Sequence, residues 1–448
     1  MTWIHADIQG ETLNDELKQA IQDIPQHVRS TLEALHLKGH GAWLVGGCVR
    51  DLFLKNKTTD FDIATTSTPE QTMELFGNMA VPTGVEFGTI TLKGKPVIEI
   101  TTLRTDGMYE DKRHPVEVSW GMSLLTDLER RDFTINAMAI DIGLGMLYDP
   151  FHGKYDAQRR ILKGVGDPFQ RCNEDVLRVL RAFRFLCPSP GVVFQMDIDL
   201  LTAVKSTAPQ IHNLSVERIW SELKRILDKD MCHFILHRMM DSGVFNHIFS
   251  SSSMPTQKII DCISTVSTSL NLLQKFALLW AEHEPRILKQ HLTWLKASNK
   301  EKNEIQQFHS NLAKPPVPSK SSIRIFHYFT KNTMEDFIQL HTYLAHSKVH
   351  VHNTKYISIE DAEQVQKISN DMSLIDSTEA ILNGQDIMQS TGISEGIKLG
   401  RIKEWMHRIQ IEKAISTKEE MMIELAQIDW AYIEIDEIPR LEIQISSK

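Results

Sequence analysis

Apolar residues recur with a helical period between residues 13 and 36, at Leu17, Ile21, Ile24, Val28, Leu32 and Leu35. Pro25 falls in the middle of this run and predicts a break between two helical segments. From Gly41 to Asp149 the pattern changes to short alternating runs separated by helical ones. Trp43 to Val45 and Asp60 to Ala64 read as strands, and Val49 to Lys55 as the start of a helix. Thr68-Pro69-Glu70 supplies an N-cap and a first-turn proline, so another helix opens there. Thr89 to Leu92 and Val97 to Thr102 read as a hairpin around Lys93-Gly94-Lys95-Pro96. Residues 130–139 read as a helix, with Phe133, Ala137 and Ile140 on its buried face and Asp132 and Asn136 sharing a polar one. Strand signals fade after about residue 155. Helical periodicity then dominates, broken at Pro188-Ser189-Pro190, at Ser250 to Ser253 and at Lys314 to Pro318. The fold class expected is α+β: a head with a small mixed sheet, then an all-helical neck, body and tail. The corresponding divisions are an N-terminal helical segment at 1–36, the head at 37–153, the neck at 154–230, the body at 231–318 and the tail at 319–448. The last stretch, Leu441 to Ile445, alternates in the manner of a strand and has no functional account.

With 448 residues, 42% of them hydrophobic, the chain can bury several cores. It has no apolar run of membrane-spanning length, and its N-terminus lacks the basic start of a secretory signal. Five scattered cysteines without a Cys-x-x-Cys pair suit a reducing, cytoplasmic setting with neither disulfides nor zinc. The net charge of -9 lowers the expectation of indiscriminate polyanion binding. Between Lys154 and Arg184, however, eight Lys or Arg face four Asp or Glu, a local +4 that favours one defined docking surface for RNA.

The densest chemical signal is Leu44-Val-Gly-Gly-Cys-Val-Arg-Asp51 followed by Thr59-Asp-Phe-Asp-Ile63. Gly46 and Gly47 let the backbone approach an anion, the following helix start aims its amides at it, and Arg50 adds a fixed positive charge. A tight strand-to-helix turn is the plainer reading of the glycines, and both can hold together. Asp60 and Asp62, two apart on a strand, point to one face while Phe61 and Ile63 point to the other. Paired carboxylates beside a phosphate cradle suit two Mg2+ ions and nucleotidyl transfer. Glu99, polar among Ile98 and Ile100, is a third candidate, as metal ligand or base; a solvent-facing glutamate is the alternative. Asp175 and Arg178, three apart, are expected side by side on a helix, as an intrahelical ion pair or as a reader of a base edge. Arg181 and Arg184 continue the repeat, with Arg184 turned away from Asp175. His233 and His237 read as ordinary helix-face residues.

These segments, together with Arg130-Arg-Asp-Phe-Thr-Ile-Asn-Ala-Met-Ala139, Glu174-Asp-Val-Leu-Arg-Val-Leu-Arg181 and Val216-Glu-Arg-Ile219, resemble in order the nucleotidyltransferase superfamily that includes DNA polymerase β. More narrowly they resemble the bacterial-type CCA-adding enzymes and the related poly(A) polymerases. The resemblance implies a polymerase β-like head, CTP and ATP as substrates, tRNA as partner and Mg2+ as cofactor. It implies that the segment holding Arg131, Asp132 and Asn136 contacts the nucleotide and its ribose. It implies that Asp175 and Arg178 select the base, and that Arg181 and Arg184 contact nucleotide or phosphate. Asn136 to Ala139 is closer to the CCA-adding pattern than to poly(A) polymerases, and the loop from Arg104 to Pro115 argues against an enzyme that adds only C. Glu217 and Arg218 read as braces of the neck. Leu54-Lys55 stands where the family has leucine-glycine, and Gly396-Ile397 where its tail has glycine-proline. An A-adding enzyme or poly(A) polymerase is the nearest competitor, and a non-catalytic RNA-binding protein on the same scaffold the more distant one.

Overall fold

The structure is a computed structural model that describes residues 6–58, 60–106, 118–121, 123–249, 253–266, 269–330, 334–352, 358–372, 379–430 and 432–441. Most of the loop between Arg104 and Pro115, and the alternating stretch after Leu441, lie outside the described residues. The chain divides into two compact units, Met1–Met231 with Arg238–Ile248, and Cys232–His237 with Phe249–Lys448.

The first unit is built on an eight-stranded mixed sheet. Its strands are β1 (Glu11–Thr12), β2 (Ala42–Val45), β3 (Phe61–Thr65), β4 (Ala80–Gly84), β5 (Thr89–Leu92), β6 (Ile98–Thr102), β7 (Ala139–Asp141) and β8 (Met146–Tyr148), in spatial order β1-β8-β7-β2-β3-β6-β5-β4. The central β3 runs antiparallel to β2 and parallel to β6, which sets Asp62 opposite both Val45 and Glu99. The hairpin β5–β6 forms as the alternation predicts.

Helices α1 (Asp15–Ala20) and α2 (Gln26–Leu37) meet at Pro25, the N-cap of the second. Val28, Leu32 and Leu35 form the buried stripe of α2 and pack with Leu17, Ile21 and Ile24 onto Leu44, Phe61, Ile63, Ile98 and Ile100. At about 2 kcal/mol for each fully buried aliphatic side chain, this stripe fixes α2 on the sheet. The opposite face carries Trp43, Val45 and Ala64 against Leu124 and Leu128 of α5 (Leu124–Glu129), which α3 (Gly47–Phe53) and α4 (Pro69–Phe76) precede in the chain. Thr68 caps α4 reciprocally with Gln71, and Pro69 takes its first turn.

Residues 130–139 are not a helix. Helix α5 ends at Glu129, a short 3-10 turn covers Thr134–Asn136, and the chain then enters β7 between β2 and β8. The segment from Asp132 to Asp141 is buried throughout, so its apolar spacing carries no period of its own. Close packing fixes the turn: a Cβ on Gly153, the first residue of α6 (Gly153–Arg159), would lie 2.1 Å from the Thr134 carbonyl oxygen. Thr134 also donates to Asp156 of α6 at 2.7 Å. Beyond α6 the unit is mainly helical, with α7 (Pro168–Glu174), α8 (Leu177–Arg184), α9 (Ile198–Thr207) and α10 (Val216–Leu227), and one short parallel pair, Ile161–Leu162 with Gln195–Met196.

The second unit is helical. Trp280 is fully buried among Phe249, Phe276 and His291. Nearer the C-terminus Leu382, Ile387, Ile402, Met406, Leu425 and Trp430 share a core. Asn383 caps Gly384–Thr391 reciprocally with Asp386, Gly392 ends that helix in the left-handed region, and Ile397 begins Ile397–Lys413. His237 pairs with Asp261 at 2.9 Å. No described helix is long and apolar enough to cross a membrane.

Helix Ile397–Lys413 ends on Ala414 at φ 56°, ψ 44°, a conformation that crowds its Cβ. Ala414→Gly is expected to stabilise this unit by about 0.5–1 kcal/mol, the relief of strain outweighing the freer unfolded glycine. Urea unfolding reads the gain; an unchanged or lower midpoint would show that the cap carries no strain.

Candidate active site

The sharp turn from β2 into α3 is made by Gly46 at φ 75°, a conformation open to glycine. A Cβ there would lie 3.1 Å from Asp62 Oδ2 and 3.2 Å from Arg131 Nη1, so this glycine also lets a carboxylate and a guanidinium close over the loop. Over Gly47 sits Arg50, its Nη2 3.4 Å from the position a Cβ would take.

Arg50 begins a continuous polar network. Its Nε and Nη2 donate to Asp51 Oδ1 at 3.0 and 2.9 Å, and its Nη1 donates to Asn136 Oδ1 at 2.9 Å. Asn136 Nδ2 donates to Asp132 Oδ1 at 3.3 Å, and Asp132 Oδ2 accepts from Arg181 Nε at 2.8 Å. The glycine turn, the 3-10 turn and α8 are thereby joined. Burial opposes the charge on Asp132, but Arg181 outweighs it and holds the carboxyl below the usual range. Arg131 Nη2 donates to the buried Asp127 at 3.1 Å.

Asp60 and Asp62 face an open cavity of about 1000 Å³, while Phe61 and Ile63 enter the core as the alternation predicts. Burial pushes the Asp62 carboxyl up to about 6; Glu99 and Asp60 add to the rise, while Arg131 and Arg50 moderate it. A cation beside Asp62 would relieve both the burial penalty and the crowding of like charges. Among the described residues no three metal-binding side chains form a complete cage. Two carboxylates suffice for Mg2+ when substrate phosphates complete its shell.

The same cavity is lined by Gly46, Gly47, Arg50, Arg131, Asp132 and Asn136, and by Asp175, Arg178, Arg181 and Arg184. Glu99 stands beside Asp62 in the sheet register but is not one of the residues lining this cavity. Ten Lys or Arg against five Asp line it, which suits a polyanionic ligand.

Asp175 and Arg178 do not stand side by side on one helix. Asp175 is extended, at φ -139°, between α7 and α8, and its Oδ1 accepts from Leu177 N at 3.1 Å. Its carboxylate takes Arg218 Nη2 at 2.9 Å, so Arg218 of α10 braces the site. Arg178 donates instead to the carbonyl oxygens of Arg171 and Arg130, at 2.9 and 3.0 Å, and to Glu174. Arg184 meets another helix through Glu222 at 2.7 Å, yet still borders the cavity.

Several lining residues escape sequence reasoning. Phe185 has the guanidinium carbons of Arg184, Arg181 and Arg50 at 4.3, 5.4 and 5.7 Å from its ring centre. The aromatic residue closing the Arg-x-x-Arg-x-x-Arg run was its available signal. Lys57, Ser189 and Lys229 have no comparable motif.

The head matches the family model described as poly A polymerase head domain over residues 42–163, and residues 193–254 match the probable RNA and SrmB-binding site of polymerase A. The CCA-adding enzyme of Staphylococcus haemolyticus is 31% identical, across 92% of this chain and 98% of its own. That of Streptococcus gordonii is 32% identical, across 88% and 92%. The crystal structure of the Bacillus stearothermophilus CCA-adding enzyme in complex with CTP superposes with a TM-score of 0.69 at 25% identity, covering 90% of this chain and 96% of that one. The Thermotoga maritima CCA-adding enzyme complexed with tRNA shares the fold at a TM-score of 0.62 and 20% identity, across 93% and 99% of the two chains. With nearly full-length similarity added to a head of this geometry, the chain belongs to the CCA-adding enzymes, the tRNA nucleotidyltransferases with a poly(A)-polymerase-type head.

Proposed function

We propose that this chain builds and repairs the 3′-terminal CCA of tRNA from CTP and ATP, without a nucleic-acid template. The observation that supports it most is the single cavity in which a glycine-arginine turn, two strand carboxylates and an arginine-lined helix meet. The 3′-oxygen of the tRNA forms a bond to the α-phosphorus of the nucleotide as the bond to pyrophosphate breaks. Nucleotidyltransferases of this kind use divalent metal ions; here Asp60 and Asp62 would hold Mg2+, which neutralises phosphate charge and activates the attacking oxygen. Glu99, beside Asp62 in the sheet, would share that metal or take the proton of the attacking hydroxyl.

Gly46, Gly47 and Arg50 receive the triphosphate. Arg131 contacts the nucleotide, while the buried Asp132 and Asn136 chiefly aim Arg181 and Arg50 at it. Asp175 and Arg178 select C or A, and to do so Arg178 must exchange a carbonyl partner for a base edge. Arg181 and Arg184 contact nucleotide or phosphate. The basic neck at 154–230 borders the tRNA 3′ end, and the segments 231–318 and 319–448 hold the rest of the tRNA, in the cytoplasm.

Extension of radiolabelled tRNAs ending before CCA, after C and after CC, with CTP and ATP separately and together, tests this reading. Three added residues on the first substrate are expected. Addition of a single A to the CC-ended tRNA alone would overturn it in favour of an A-adding enzyme. Inactivity on all three would favour a non-catalytic RNA binder.

A further inference from the structure

Lys229 follows the end of α10 and lines the nucleotide cavity and also a smaller adjoining pocket of about 290 Å³. Its Nζ donates to the Pro188 carbonyl oxygen at 2.9 Å. Among the described residues no carboxylate stands within ion-pair distance of it. Its cationic neighbours differ in this respect: Arg184 is held by Glu222, and Arg50 by Asp51. Burial pushes the Lys229 ammonium down from its ordinary range, and the charges of Arg184 and Arg50 push it further, against a weaker opposing pull from Asp51. A half-buried cation beside two guanidiniums is unfavourable until an anion arrives.

The surroundings identify the anion. Ser189, next to the carbonyl that Lys229 grips, donates to Asp51 Oδ1 at 3.0 Å, and that same oxygen holds Arg50. Lys229 is therefore tied through one turn to the arginine lying over Gly47, the part of the cavity suited to phosphate rather than to a base. We propose that Lys229 is an additional phosphate-binding residue for the triphosphate tail of the incoming nucleotide, and for the pyrophosphate that leaves. This rests on the reading of the cavity as a nucleoside triphosphate site. It adds a compact, mobile charge to the fixed fork of Arg50.

Lys229→Met and Lys229→Arg in the full chain test it, assayed on CC-ended tRNA with ATP and on C-ended tRNA with CTP. Loss of the charge is expected to raise KM for both nucleotides about tenfold, with kcat within about threefold and KM for tRNA unchanged. Inhibition by inorganic pyrophosphate should weaken by a similar factor, and the arginine variant should recover most of both losses. Unchanged nucleotide KM values, or a rise confined to tRNA, would overturn the proposal; the latter would assign the lysine to RNA. Calorimetric binding of ATP and of pyrophosphate reads the same loss without turnover. An inactive wild-type protein would thus sink the functional reading while binding still decides the role of Lys229. Thermal unfolding near the wild-type midpoint is expected for Lys229→Met, because the hydrogen bond to Pro188 is lost together with the cost of the partly buried charge, and no ion pair is broken.

Discussion

Asp62→Asn is expected to lower kcat on the order of 10³-fold or more, and yet to make the metal-free protein more stable at neutral pH. The two effects share one cause. In the folded chain the Asp62 carboxyl is pushed up to about 6, by burial first and then by Glu99 and Asp60. A raised carboxyl is favourable to the fold below its unfolded value near 4, and that contribution is lost as pH rises through about 6. Above pH 6 the wild-type chain therefore carries a buried charge that Arg131 and Arg50 offset only in part, and that asparagine lacks. The difference should be on the order of 1–2 kcal/mol in the presence of EDTA, shrinking below pH 5. Mg2+ should raise the unfolding temperature of the wild type and leave Asp62→Asn unmoved. Thermal scans with and without metal at pH 5 and pH 7.5 give the comparison. A variant no more stable than wild type in EDTA at the higher pH would show that Asp62 bears no such strain.

Asp132→Asn tests the opposite situation, a carboxylate that the fold needs charged. Asp132 is buried and its Oδ2 takes Arg181 Nε at 2.8 Å, while Oδ1 accepts from the Phe133 amide at 2.9 Å and from Asn136. The substitution keeps the shape and removes the charge opposite Arg181. A loss of about 3 kcal/mol is expected, because a largely buried guanidinium loses its nearest counter-ion. KM for CTP and ATP should rise together, about tenfold or more, since both Arg50 and Arg181 lose their orientation. Urea unfolding and steady-state kinetics measure the two effects. A stability loss under about 1 kcal/mol would mean that the network from Asp51 to Arg181 is a loose assembly.

The contrast between these aspartates could not be read from the chain. Local signals were legible: the Thr68-Pro69 helix start, the break at Pro25 and the alternation that sends Phe61 and Ile63 inward all depend on near neighbours. The glycine-arginine turn and the strand pair were legible for the same reason, since backbone chemistry there fixes the pattern. The segment after Arg130 mimics a helix in sequence because burial on every side erases its period, and a strand squeezed between β2 and β8 looks like any apolar run. Spacing alone sets Asp175 on a helix with Arg178. An aspartate two residues before Leu177 equally marks a helix beginning, and it is that role, with Arg218 from α10 as its ion partner, that the structure adopts. Ser189 and Lys229 join the site through packing of segments far from the glycine-arginine turn in sequence, which no motif records.

All five cysteines are buried, and Cys48 lies directly behind the Asp62 strand. Burial and the Asp62 charge push its thiol up to about 12, so almost no thiolate exists at neutral pH. The native chain is accordingly a quiet background for maleimide chemistry. One cysteine introduced on the surface can carry a fluorophore or spin label without prior removal of the others, and nucleotide and tRNA binding can be followed on an otherwise unaltered enzyme.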